Sequence, residues 1–234
     1  KGLQVRLKAD DVVSIQTSMH LLQMLLGHGH QVSFEIRGST ENIVCAFVAP
    51  EPIIEELGYL LKGLFPNVTF EEYSLALPFS QENEIGIIEF GLNEECVRPL
   101  NMAHSFELDP LSALFSTLES LGPKDRVVFQ VLFQSVKAPW SRDMQAAVSD
   151  GKGGSFFGDA SDMLRLASVK TQSPLYAAVV RCAIQGHNRE RSQHLGQQMV
   201  RSVQSLSRSE HNVLIPLTNE GYPYEQHISD FYHR

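Results

Sequence analysis

The sequence predicts an α+β protein, and three observations carry that reading. Leu3, Val5 and Leu7 alternate with Gln4, Arg6 and Lys8, the period of a half-buried strand. Ile53, Ile54, Leu57, Leu60, Leu61 and Leu64 recur at helical spacing. The same rhythm then returns near both ends, because Val32 to Ser74 reads strand, strand, helix, strand and Leu175 to Leu217 reads strand, helix, strand.

Taken in order, the strand around Leu3 to Leu7 is followed by a helix that opens on Asp10-Asp11, where carboxylates complement the positive helix N-terminus. Val12, Ile15, Met19, Leu22 and Leu26 form its apolar stripe, and Gly27 and Gly29 stop it. Val32 to Arg37 alternates again, and Gly38 to Asn42 is a hairpin loop into the apolar strand Ile43 to Val48. Pro50 and Pro52 fit a first helical turn, where a missing N–H costs little, and Pro66-Asn67 ends that helix. Val68 to Tyr73 is a third strand of this unit, and the unbroken apolar run Ile85 to Phe90 predicts a strand with an interior place in its sheet.

Asp109-Pro110 has the form of a cap followed by a first-turn proline, with Leu111, Leu114, Leu118 and Leu121 as the stripe behind it. After the turn Gly122 to Asp125, RVVFQVLFQSV is the strongest strand in the chain, rich in β-branched and aromatic residues. Trp140 to Val148 reads as a short helix with Trp140 as a packing anchor, and Asp150 to Gly158 as a surface loop. Beyond Pro174 come a strand, an arginine-bearing helix, the strand Val213 to Leu217 and a polar tail. The chain begins at Lys1 without Met and runs out after QHISDFYHR, which reads as a piece of a longer protein.

Charge divides unevenly. Residues 1–122 carry 6 Lys and Arg against 17 Asp and Glu, hence −11, whereas residues 123–234 carry 13 against 10, hence +3. A net charge of −8 excludes a uniformly basic nucleic-acid binder. The second half still offers a local positive helix through Arg189, Arg191, Arg201 and Arg208, the residues expected to contact DNA or a partner. Arg191 and Arg201, ten apart, are placed on roughly one face. Cys45, Cys96 and Cys182 are widely spaced and odd in number, so they read as reduced thiols of a cytoplasmic protein. No stretch approaches the ~20 apolar residues of a membrane span, so no membrane insertion is expected.

Catalytic constellations are weak. Gly151 to Ser155 has the composition of a phosphate-binding loop but not its G-x-x-x-x-G-K-[ST] spacing. His28 and His30, with His20 or Glu35, fall short of a convergent ligand set, and a structural turn is the stronger reading. His104, Glu107 and Asp109 sketch a metal-dependent nuclease, with no recognised motif behind them. No cofactor, metal or catalytic residue is expected.

HQVSFEIRGSTENIVCAFVAPEPIIEELGYLLKGLFPNVTFEE, LDPLSALFSTLESLGPKDRVVFQVLFQSVKAPW and KTQSPLYAAVVRCAIQG together resemble conjugative-transfer ATPases of type IV secretion coupling, relatives of the HerA and FtsK DNA-translocating motors. The resemblance covers most of residues 30–217 and implies the amino-terminal region of such a protein, with the motor elsewhere. No Walker A sequence is present, so no catalytic residue carries over. The combined expectation is α+β: two ferredoxin-like β-α-β units with antiparallel sheets packed by helices, divided as 1–122 and 123–234. The function expected is a non-catalytic accessory or assembly domain of a DNA-translocating ATPase. Its partners would be the rest of the motor or secretion machinery, a second copy, or DNA through the second half. The alternative is a stand-alone protein-interaction module.

Overall fold

The computed structural model describes residues 1–8, 13–25, 29–81, 83–102, 106, 109–136, 139–158 and 160–233. Asp10, Asp11, Val12, Leu26, Gly27, His28, His104, Ser105 and Glu107 lie outside the described residues. The chain runs β1 (Gly2–Arg6), α1 (Ile15–Met24), β2 (Val32–Gly38), β3 (Ile43–Val48), α2 (Glu51–Leu64) and β4 (Thr69–Glu72). It continues through β5 (Gly86–Leu92), α3 (Ser112–Glu119), β6 (Arg126–Ser135), α4 (Trp140–Val148), α5 (Met163–Lys170), β7 (Tyr176–Gln185), α6 (Arg189–Ser207), β8 (Leu214–Pro216) and α7 (Tyr224–His233).

All eight strands join one antiparallel sheet in the order β4-β1-β3-β2-β6-β7-β5-β8. Taken inward from the two edges, β4-β1-β3-β2 and β8-β5-β7-β6 follow the same fourth-first-third-second order, each with a helix after its first and third strands. The strand run Val32 to Ser74 therefore corresponds to β6, β7, α6 and β8, with β6 as the partner of β2. The halves meet where β2 and β6 pair over seven residues, from Val32 opposite Phe133 to Gly38 opposite Val127. β5 and α3 pair with and pack on β7, β8 and α6 of the later half.

Alternation along the strands makes one face apolar, as period-two patterning requires. On it, Ile36, Phe129, Cys182 and Ile184 meet α3 through Leu114 and Leu118 and α6 through Leu195, Met199 and Val203. A second cluster gathers α2 residues Ile53, Ile54, Leu57 and Leu61 around Val32 and Phe47. Gly38 lets this packing close up: a Cβ there would lie 2.8 Å from Leu118 Cδ2 and 2.9 Å from Leu121 Cδ1. Burial pushes the Cys182 thiol up, so it stays protonated and inert.

The opposite face holds a polar row, one residue per strand. Glu35 lies opposite Gln130, Gln130 opposite Arg181, and Arg181 opposite Glu89. Gln130 Nε2 donates to Glu35 Oε1 at 2.9 Å, and Arg181 Nε donates to Gln130 Oε1 at 2.5 Å. Tyr73 Oη and Arg37 Nη2 donate to Glu35 Oε2 at 2.8 and 3.1 Å. The chain between β4 and β5 lies over this face through Leu77, and α7 through Phe231, which pack with Val128 and Ala183. Arg181 stacks its guanidinium 5.0 Å from the Phe231 ring centre and donates to the Asp230 carbonyl at 2.8 Å.

Three local expectations differ. The stripe Ile15, Met19 and Leu22 of α1 is 39 to 41% exposed rather than buried. Trp140 opens α4 and is 44% exposed, so it anchors no core. The polar tail instead forms α7, and a helix α5, stabilised by buried Met163, Leu166 and Ala167, follows the glycine loop.

Glu35 is fully buried, and removing its side chain takes away the carboxylate to which Arg37 Nη2, Gln130 Nε2 and Tyr73 Oη donate. Glu35→Ala is expected to lose about 3 to 5 kcal/mol in urea or guanidinium unfolding, the range for breaking a buried pair from one side. A loss within about 0.5 kcal/mol, typical of surface substitutions, would show that the row is not structural.

Candidate docking groove

The four arginines singled out by charge do not act as a set. Asn188 caps α6 by accepting from the Arg191 amide at 2.8 Å, which places Arg191 in the first turn. Its guanidinium then turns inward, donating to Asp125 Oδ2 at 2.8 Å and to the Ser120 carbonyl at 2.9 Å. Arg201 is exposed and faces elsewhere, because a ten-residue spacing leaves two positions roughly 80° apart around a helix. Arg208 is the exposed C-terminal cap residue. Arg189 and Arg201 share a groove.

That groove, of about 1180 Å³, runs between α6 and the outer edge of β5, with Tyr224 and His227 of α7 on its far wall. Its origin is the shortness of β8, which pairs only with Phe90, Gly91 and Leu92 before Leu217 donates its amide to the Glu89 carbonyl at 2.8 Å. The Tyr224 hydroxyl takes Ile85, two outward-facing positions beyond Glu89, accepting from its amide at 3.1 Å and donating to its carbonyl at 3.0 Å. Outward-facing residues alternate along an antiparallel strand, so Ile87 between them presents its N–H and C=O to the groove. Among the described residues no strand pairs with that edge.

The groove wall on α6 is polar, including Gln193, Gln197 and Gln204, and neither Arg189 nor Arg201 has an ion-pair partner among the described residues. Glu84 also lines it. Beneath, His227 Nε2 lies 3.4 Å from Glu89 Oε1, and the Asn219 amide stands 3.4 Å from His227 Nδ1. The Tyr222 hydroxyl bonds the Asp230 carboxylate, which that contact holds below its ordinary range. Sequence patterning missed the groove because its floor is an edge created by pairing; the interior place expected for the run Ile85 to Phe90 holds only from Glu89 onward, where β8 pairs, and Ile85 to Ile88 line the open edge.

The other candidates are structural where described. Asp109 Oδ1 accepts from the Leu111 amide at 2.9 Å at the start of α3, while His104 and Glu107 are outside the described residues. Glu35 belongs to the buried row, and no group of three or more metal-ligating side chains occurs among the described residues. In the loop Gly151 to Ser155, the Lys152 and Gly154 amides both donate to Asp150 Oδ1 at 2.8 Å, so an internal carboxylate occupies the position a phosphate would need. Those amides hold Asp150 below its ordinary range.

A family model described as a domain of unknown function, DUF8128, matches residues 8–172, more than half of the chain. The chain belongs to this family. The DUF8128 match takes in α1 through α5, including β5 at the floor of the groove, and ends before β7 and α6. No curated protein matches the chain.

Two outcomes follow for this region. Burial works to raise the Asp125 carboxyl, but the Gly122 amide and the Arg191 guanidinium outweigh it and hold it below its ordinary value. The stabilisation from a depressed carboxylate is complete above the unfolded value near 3.8 and disappears as pH falls through the lower folded value. Arg191→Ala is therefore expected to lose about 2 to 4 kcal/mol at pH 7, with the difference from the parent chain shrinking below about pH 4 in unfolding titrations. Lys152→Ala, in contrast, leaves both melting temperature and equilibrium dialysis of ATP unchanged; micromolar ATP affinity lost in that variant would restore the phosphate-loop reading.

Proposed function

We propose that this chain is a non-catalytic assembly domain of a DNA-translocating ATPase of the conjugative-transfer type, built from two ferredoxin-like units fused edge to edge. The fourth-first-third-second strand order of both halves supports the ferredoxin-like assignment. The strings that resemble the motor proteins form β2 and β6, whose Glu35 and Gln130 bond each other across the seam. The observation that carries a docking role is the groove at the open edge of β5. There two arginines have no carboxylate partner among the described residues, while Arg37, Arg181 and Arg191 are committed to internal bonds. A surface with unspent hydrogen-bonding and charge capacity beside a rigid sheet is suited to binding rather than to chemistry.

The second reading, a stand-alone protein-interaction module, is favoured by the same groove, which needs no motor to function. Antibodies raised against this chain separate the two. The native protein they recover is expected to exceed 26.2 kDa, to photolabel with azido-ATP and to hydrolyse ATP faster when duplex DNA is added. Recovery of a native protein that takes no ATP label would overturn the motor reading and leave the stand-alone module.

A further inference from the structure

We infer that the groove takes an extended, acidic segment of a partner protein, which adds as a strand to the outer edge of β5. This deepens the docking role proposed above, and it names the occupant.

Three features converge on that occupant. The first is the edge itself. β8 supplies a partner strand only as far as Glu89, and Tyr224 satisfies Ile85, so Ile87 is left to exchange both backbone bonds with an incoming strand. A helix cannot make that exchange, because its own backbone groups are internally paired. The second is apolar relief: the side chain of Ile88, on the α6 side, is half-buried against Gly196, giving an inserted strand an apolar wall to pack on.

The third is charge. Arg189 and Arg201 lie twelve residues apart on α6, about 18 Å along and about 120° around the axis, at the two ends of the groove they both line. An extended segment covers that span in about five or six residues. Two carboxylates at the ends of such a segment meet both guanidiniums, and charge-assisted bonds of this kind are about twice as strong as neutral ones. Glu84, also on the groove, opposes a third negative charge near the start of β5 and so favours acidic residues at the ends rather than throughout.

The test is selection of a random heptapeptide phage library on the whole chain. Arg189→Glu with Arg201→Glu serves as the counter-target, its fold checked by circular dichroism and melting temperature. Enriched peptides are expected to carry Asp or Glu at two separated positions among β-branched residues. Their affinity should fall by at least about tenfold on the double variant. Bound peptide should also slow amide hydrogen exchange at Ile87, and methylating the central peptide nitrogens should abolish binding.

Basic or charge-indifferent enrichment, binding retained by the double variant, or an Ile87 amide that exchanges as before would each overturn the inference. So would a fluorescein-labelled single- or double-stranded DNA 20-mer that binds through Arg189 and Arg201 when no peptide is enriched; that result assigns the groove to nucleic acid. Failure of ATP labelling in the native protein leaves peptide capture untouched. Failure of peptide capture in a protein that does label removes the strand-addition site alone.

Discussion

Glu35, Gln130 and Arg181 occupy directly opposed positions on three neighbouring strands, and the arrangement of the whole sheet depends on their hydrogen bonds. Burying a carboxylate and a guanidinium costs several kcal/mol each, and an apolar row of the same shape would be about as stable. What an apolar row lacks is register. A one-residue slip of β2 against β6 would send Glu35 to the face packed with Phe129, Leu118 and Met199, and a two-residue slip would set it against Val128 or Leu132. Either leaves a fully buried charge unpaired, so the polar row excludes the alternatives to a seam that apolar residues alone would tolerate.

From that seam the covering elements take their places. Arg37 reaches from β2 to the Ala76 carbonyl at 2.8 Å, and Tyr73 reaches back to Glu35, so the crossing between β4 and β5 is tied down at its start. Gln185 holds its other end, accepting from the Ser80 amide and donating to the Ser80 and Asn83 carbonyls. Arg181 fixes α7 through the Asp230 carbonyl and the Phe231 ring. With α7 so placed, Tyr224 arrives at the edge of β5. The groove is thus an indirect product of the polar row: the same arginine that completes the ladder positions the helix that forms the groove's far wall.

The two faces divide the labour. Helices α2, α3 and α6 bury the apolar face and supply most of the hydrophobic stabilisation, in proportion to area removed from water. The polar face contributes specificity and carries the thinner cover of one crossing segment and one helix. Asp125 and Arg191 repeat the device at smaller scale, locking the N-terminal turn of α6 to the entry of β6. That lock orients the helix that also bears Arg189 and Arg201.

Much of this was legible in the residues themselves. Alternation, apolar runs and β-branched or aromatic content marked all eight strands, and apolar stripes at helical spacing marked α2 and α3, because those patterns are set by local geometry. The repeat near the two ends was visible for the same reason. Helix α7 was not, although Tyr224, Ile228 and Phe231 recur at helical spacing in a segment that reads as a polar tail, and its hold on the sheet is a cation over Phe231 that the sequence places fifty residues away. Strand pairing was equally hidden, for β2 meets β6 and β5 meets β7 across long intervals, and period-two patterning says which face a residue takes but not which strand it faces. The arginines show the same division: composition placed them on one helix, but their partners decided their roles. Arg191 found Asp125 and became structural, whereas Arg189 and Arg201 found an open strand edge, a feature that exists only once β8 has stopped pairing and left Ile87 facing the groove.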